Sequence, residues 1–169
     1  MYRVGQYIVY GGEGVCRVES VGPVDIRGAR KGQEYYTLSS VYHQGKVYLP
    51  VDAEGYSRPI LTAQEADGLV QEIPDIPAEI FECSNPRLLT EHYQGWLKSN
   101  NCRDLLRVIR SIRAKGANAA RKGRRLGQVD ERVLKQAEEK LYGELAVSLN
   151  SCVEEVKARV MEQLAKAGE

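Results

Sequence analysis

The sequence predicts an α+β protein, a small SH3- or Tudor-like β-barrel followed by a compact α-helical domain. Three observations predict it. Residues 1–61 carry short β-branched and aromatic runs with period-two alternation, separated by glycine-rich turns. From residue 85 onward, apolar residues recur every three or four positions between helix caps. Residues 62–84 lie between these patterns and combine one capping signal with a proline-bearing stretch.

The first element is a β-hairpin over Tyr2–Val21. Two apolar runs flank Gly11-Gly12-Glu13-Gly14, and Cys16 and Val18 alternate with Arg17 and Glu19, giving one apolar and one charged face. Gly22-Pro23 marks a turn, after which Val24–Arg27 reads as a short edge strand. Glu34–Leu38 is a strand with Tyr36 and Leu38 facing inward, so Tyr35 and Thr37 face out. In the next strand Val47, Leu49 and Val51 alternate with an outward Tyr48, and Pro50 marks its end or an edge. Arg58–Leu61 supplies a last strand, and strands at this spacing suit a small barrel.

Thr62-Ala63-Gln64-Glu65 is a capping box opening a short helix that ends before Pro74. Residues 73–86 hold three prolines and read as a linker. Asn85 caps the next helix with Pro86 at its first position, and Leu88 or Leu89, Tyr93 and Trp96 or Leu97 stripe it. Asn101 caps a helix striped by Leu105, Ile109 and Ile112, whose far end Gly116 and Gly123 weaken. Asp130 is expected to cap a third helix, with Leu134, Ala137, Leu141 and Leu145 on one face. Ser151-Cys152-Val153-Glu154 reads as a capping box for a fourth, striped by Val153, Val156, Val160 and Leu164. Short connections between such helices imply one bundle. The expected domains are therefore 1–61, a short helix and linker over 62–84, and 85–169.

Composition narrows the function. The 169 residues carry 24 basic and 23 acidic side chains, a net charge of +1. Residues 1–80 hold 7 basic and 11 acidic side chains, whereas residues 81–169 hold 17 and 12, which suggests halves with different partners. No apolar run is long enough to span a membrane, and the amino-terminus has no signal-peptide core. Cys16, Cys83, Cys102 and Cys152 are scattered, with no C-x-x-C pair and only two histidines. Reduced thiols in a cytoplasmic protein are expected, with no metal and no cofactor. Asp25, Glu54 and Glu65 form no convergent carboxylate motif, and neither His43 nor His92 lies beside a candidate nucleophile. The glycine turn lacks the lysine, hydroxyl residue and helix of a phosphate loop. The reading is a non-enzyme.

The densest charge feature runs from Lys98 to Arg125. It comprises Lys98, Arg103, Arg107, Arg110, Arg113, Lys115, Arg121, Lys122, Arg124 and Arg125 against the single acid Asp104. Arg103, Arg107 and Arg110 follow i, i+4, i+7 and share a helix face, which Arg113 continues. Like charges on one face repel by a few tenths of a kcal/mol per pair, and a polyanion would relieve that repulsion. The bland alternative is a solvated helix face. Tyr35 and Tyr48 are outward aromatics that fit either cross-strand pairing or a protein-binding face, and Trp96 is a core residue by default.

The chain resembles the CarD/CdnL family of bacterial transcription regulators, most closely its short forms from low-GC Gram-positive bacteria. The matching residues are V-G-x-Y-I-V-Y-G with G-V over Val4–Val15, I-R-G at Ile26–Gly28, E-Y-Y-x-L at Glu34–Leu38 and Y-L-P-V-D at Tyr48–Asp52. R-D-L-L-R-V-I-R at Arg103–Arg110 and the run Asp130–Ala146 extend the likeness over nearly the whole chain. The resemblance implies a Tudor-like domain that docks on the β subunit of RNA polymerase. It also implies a helical domain that contacts promoter DNA at the upstream edge of the melted region and changes open-complex stability, without covalent chemistry. Better-known members carry an arginine where Tyr48 stands, so docking is assigned to Tyr48 with Arg27, Tyr35 and Lys46. The family also places a tryptophan wedge just before its first carboxy-terminal helix, where this chain has Phe81 as its aromatic residue.

The expected protein is thus a monomeric, cytoplasmic transcription regulator whose barrel holds the polymerase β subunit. Phe81, Lys98, Arg103, Arg107, Arg110, Arg113, Arg121, Lys122, Arg124 and Arg125 would meet promoter DNA without reading its sequence. One rival is a protein adaptor whose basic helix binds an acidic protein. The other is an RNA-binding barrel of ribosomal type, which the acidic leading half disfavours.

Overall fold

The computed structural model describes residues 1–55 and 57–168. The chain divides into two units, Met1–Ile60 and Leu61–Glu169.

The first unit is a five-stranded antiparallel sheet with β1 (Tyr7–Tyr10), β2 (Gly14–Gly22), β3 (Tyr35–Ser40), β4 (Lys46–Pro50) and β5 (Ser57–Pro59). The spatial order is β4-β3-β2-β1-β5, so β4 and β5 are edges and the sheet does not close into the expected barrel. Each edge carries a proline, Pro50 or Pro59, which lacks the N–H needed to extend a ladder. β1 and β2 form the expected hairpin, with Tyr10 paired to Gly14 across a 3-10 turn over Gly11–Glu13. Gly14 adopts φ 74°, a left-handed conformation that favours glycine. The register of β2 on β3 shifts between Val18 and Ser20, a bulge that lets one long strand pair with both neighbours.

Ile8, Cys16, Val18, Tyr36, Leu38 and Leu49 form this unit's core, so the residues read as inward in β2, β3 and β4 are inward, although β3 is buried on both faces over Tyr35–Leu38. Burial first, and then Glu13, pushes the Cys16 thiol up to about 11. On the other face, Glu19 accepts hydrogen bonds from Ser39 Oγ at 2.5 Å and from Arg17 Nη1 at 2.9 Å. These bonds, Ser39's first, hold its carboxyl below the usual range. Two strand expectations change. Val24–Arg27 is irregular rather than an edge strand, within a loop turned at Gly28 and Gly32. Tyr35 and Thr37 do not face outward, being 7% and 8% exposed, and the Tyr35 hydroxyl accepts the Arg30 N–H at 3.2 Å from that same loop.

The second unit contains α1 (Ala63–Glu72), α2 (Pro86–Leu97), α3 (Cys102–Arg121), α4 (Gln128–Ser148) and α5 (Val153–Lys166). Both bonds of the Thr62–Glu65 capping box are present. Asn85 and Asn101 cap α2 and α3 as expected. The other two caps differ. Gly127 is the N-cap of α4, and Asp130 lies buried in its first turn. Cys152 is the N-cap of α5 without a side-chain cap, while Ser151 Oγ donates to Glu155 at 2.5 Å.

One core joins these helices through Leu89, Tyr93, Leu105, Ile109, Ile112, Val133, Leu141, Leu145, Val160 and Leu164, among others. Ile73 and Ile76, from the proline-bearing stretch, are buried in the same core. That stretch is therefore part of the helical unit's packing. Glu144, also buried, accepts the Leu61 N–H at 3.0 Å and the Cys102 thiol at 3.3 Å, fastening the start of the unit to α4. Among the described residues, no helix is long and apolar enough to cross a membrane.

Candidate functional site

The spacing of the basic row of α3 puts Arg103, Arg107 and Arg110 on one face. That face is covered by the segment that follows α1, a 3-10 turn over Ile73–Asp75 and the extended stretch after it. Arg103 pairs with Glu72, and Arg107 pairs with Glu79 at 2.8 Å and with Asp104 at 3.5 Å. The bond to Glu79 is the first cause holding the Arg107 guanidinium more firmly protonated. Arg110 is 8% exposed and donates through Nη1 to the backbone carbonyls of Ile73, Pro74 and Ile76. Ser111 Oγ accepts the Glu79 N–H at 2.8 Å, and Lys115 Nζ donates to the Phe81 carbonyl at 3.0 Å. One turn after another, the row straps residues 72–81 onto α3. Arg113 points elsewhere in the bundle and pairs with Glu138.

The charge count changes accordingly. On the units the structure defines, residues 1–60 hold 7 basic and 6 acidic side chains, and residues 61–169 hold 17 of each. The acids counted with the leading half belong to the helical unit, where Asp67, Glu72 and Glu79 meet Arg159, Arg103 and Arg107.

Phe81 is half-buried and stacks on the His92 ring at 3.8 Å between centroids. His92 lies 4.8 Å from the Trp96 ring, and the Arg107 guanidinium sits over Trp96 at 5.2 Å. Trp96 is half-buried: it packs against the core of the helical unit, as expected, and also takes part in this cation–aromatic ladder. Nothing in the sequence periodicity brings Phe81 to this ladder, since it precedes α2 and reaches His92 only through the strap.

A buried tie sits under the end of the strap. Tyr93 Oη donates to Asp130 Oδ1 at 2.6 Å, and Lys115 Nζ lies 2.9 Å from Asp130 Oδ2. Burial first, then the bonded carboxylate, pushes the Tyr93 hydroxyl well above its usual range. Tyr93→Phe leaves one oxygen of a 2%-exposed carboxylate without its donor. The expected loss is about 2 kcal/mol of unfolding free energy, read from the urea midpoint. An unshifted midpoint would show that the tie carries no stability.

The exposed cations gather where α3 turns into α4. The α3 helix closes with Gly123 at φ 69°, its N–H donating to the Ala120 carbonyl and the Arg124 N–H to Ala119 at 2.8 Å. This glycine-dependent turn presents Arg124 and Arg125 directly beyond Lys122. Leu126 then seats against Gly116, where an added Cβ would meet Leu126 Cδ1 at 3.2 Å. The two glycines expected to weaken α3 instead shape its exit. Arg121 is exposed with a 3.4 Å bond to Asn118, and Lys98 is exposed at the end of α2. Of the ten residues expected at DNA, Lys98, Arg121, Lys122, Arg124 and Arg125 lie in the open. Arg103, Arg107, Arg110 and Arg113 are held by the protein's own acceptors.

In the first unit, Lys46 is exposed and Tyr48 half-buried on the edge strand β4, and Arg27 is exposed in the loop 23–34. Among the described residues, β4 pairs in the sheet with β3 alone, which makes its outer side a sheet edge. Among the described residues, no group of three or more His, Cys, Asp or Glu side chains is placed to hold a metal ion.

An open five-stranded sheet followed by a helical unit defines an α+β protein with a Tudor-like amino-terminal domain. Residues 2–56 match the family model described as CarD-like/TRCF RID domain, so the first unit is similar to that domain. The likeness of this domain supports a transcription-related, RNA polymerase-interacting protein. No curated protein matches the chain.

Proposed function

We propose that the protein regulates transcription by docking its sheet unit on the β subunit of RNA polymerase, while its helical unit touches promoter DNA and alters open-complex stability. The observation that carries the docking half is the CarD-like match over residues 2–56. The sheet edge at β4, with Lys46 and Tyr48 on the strand and Arg27 in the exposed loop, supplies both backbone groups and side chains for it. Tyr35, buried beneath the loop, takes no part. The DNA contact falls on Lys98, Arg121, Lys122, Arg124 and Arg125, which position phosphates without reading bases. Phe81 stacks on His92 and reaches DNA only by leaving that ring. The protein works in the cytoplasm as a monomer whose activity appears on the polymerase.

The test is retention of purified polymerase β subunit by the full chain. Lys46→Glu with Tyr48→Ala is expected to lower retention about tenfold or more, as loss of a charge pair and an aromatic anchor at one interface would. Full retention by that variant would move the docking surface elsewhere, and no retention by the parent chain would end the reading. A second reading, a protein adaptor without DNA contact, is favoured by one observation. Four of the arginines expected at DNA are neutralised or tied within the bundle.

A further inference from the structure

The exit of α3 does more than expose cations. Lys122, Arg124, Arg125 and the inner Lys115 line a cleft of about 380 Å³, with Glu82 and Asp130 as its acids. That volume lies in the range of small-ligand sites. Asp130 is already committed, one oxygen to Tyr93 and the other to Lys115. The net charge available in the cleft is therefore set by Lys122, Arg124 and Arg125 against Glu82 alone. No side chain caps α4 at the rim, where Gly127 is the N-cap. Two devices hold the walls: the left-handed turn at Gly123, and the seating of Leu126 on Gly116.

We infer that this cleft binds a small oligophosphate, a chain of two or more linked phosphates such as a nucleotide carries. Three cations within four residues of sequence border one concavity, and their charge suits an anion of more than one unit. Forked guanidiniums donate to adjacent phosphate oxygens in pairs; the first turn of α4 carries Asp130 and Glu131, so the attraction rests on the cations. The cations are shared with the DNA contact proposed above, so a bound oligophosphate and duplex DNA exclude one another. The cleft itself does not depend on that reading.

The probe is inorganic tripolyphosphate, titrated calorimetrically into the full chain, with orthophosphate as the single-phosphate comparison. The expected result is saturable one-to-one binding, tighter than for orthophosphate. It should weaken by at least about tenfold in Arg124→Gln/Arg125→Gln, the worth of one charge-assisted hydrogen bond or more. Lys157→Gln/Lys166→Gln removes the same charge from α5 and is expected to leave it unchanged. Absence of saturation, or equal weakening by both pairs, overturns the site. A labelled duplex separates the two phosphate sources. Tripolyphosphate binding by a chain that holds no duplex upholds the cleft and removes the DNA contact. Duplex binding without tripolyphosphate binding does the reverse.

Discussion

Replacing Arg110 by alanine is expected to lower the stability of the helical unit by about 3 kcal/mol, the largest effect of any arginine in α3. Its guanidinium is almost wholly buried and donates to three carbonyls in Ile73–Ile76. Those carbonyls belong to a single 3-10 turn over Ile73–Asp75 and its exit, where the Ile76 N–H bonds the Ile73 carbonyl at 3.1 Å and Arg110 supplies the further donors. Alanine removes the donor, leaves the acceptors dry and opens a cavity along the former side-chain stem. Ile73 and Ile76, held in the core by this segment, should loosen with it. Arg103→Ala is the comparison. Its pair with Glu72 is half-exposed on both sides, so it should cost no more than about 1 kcal/mol. Urea denaturation followed by helical circular dichroism measures both. Equal midpoints for the two variants would mean that the strap is not tied down at Arg110. Arg110→Lys should recover only part of the loss, since one ammonium cannot span three acceptors in a planar fork.

The same arginine shows where reading a sequence succeeds and where it stops. Periodicity placed Arg103, Arg107 and Arg110 on one face, and they are on one face. What covers that face is invisible locally, because Glu72 and Glu79 stand 31 and 28 residues away from the arginines they meet. Proline density made the segment read as a linker, although Ile73 and Ile76 within it are core residues. The strands were legible because alternation is a local signal, and Ile8, Cys16, Val18, Leu38 and Leu49 all fall inward. Closure was not legible, since it depends on how far edge strands ending in Pro50 and Pro59 can extend. The Asp130 cap was misplaced for a related reason. An aspartate near a helix start looks like a cap, yet here Tyr93 and Lys115, from two other helices, bind its carboxylate. Lys122, Arg124 and Arg125 were visible as charge, but the turn that presents them needed the left-handed Gly123 to be seen.

Neutralising the α3 exit should separate the two functional readings most sharply. In Lys122→Gln/Arg124→Gln/Arg125→Gln, three exposed cations that form no ion pair among the described residues are lost, and the buried ties remain. If they meet promoter phosphates, duplex affinity at low salt falls by roughly an order of magnitude or more. The slope of log affinity against log salt should then shrink by about 2.7, the release of three counterions. The matched Arg103→Gln/Arg107→Gln variant should change that slope little, because Glu72 and Glu79 already neutralise those charges in the free protein. Fluorescence anisotropy with one duplex at four salt concentrations gives both slopes. A protein adaptor predicts no salt-dependent duplex binding at all, with or without polymerase. The reverse ranking, with the α3 row steeper than its exit, would mean that DNA displaces the strap's glutamates. The electrostatic surface would then be one that the free protein keeps covered.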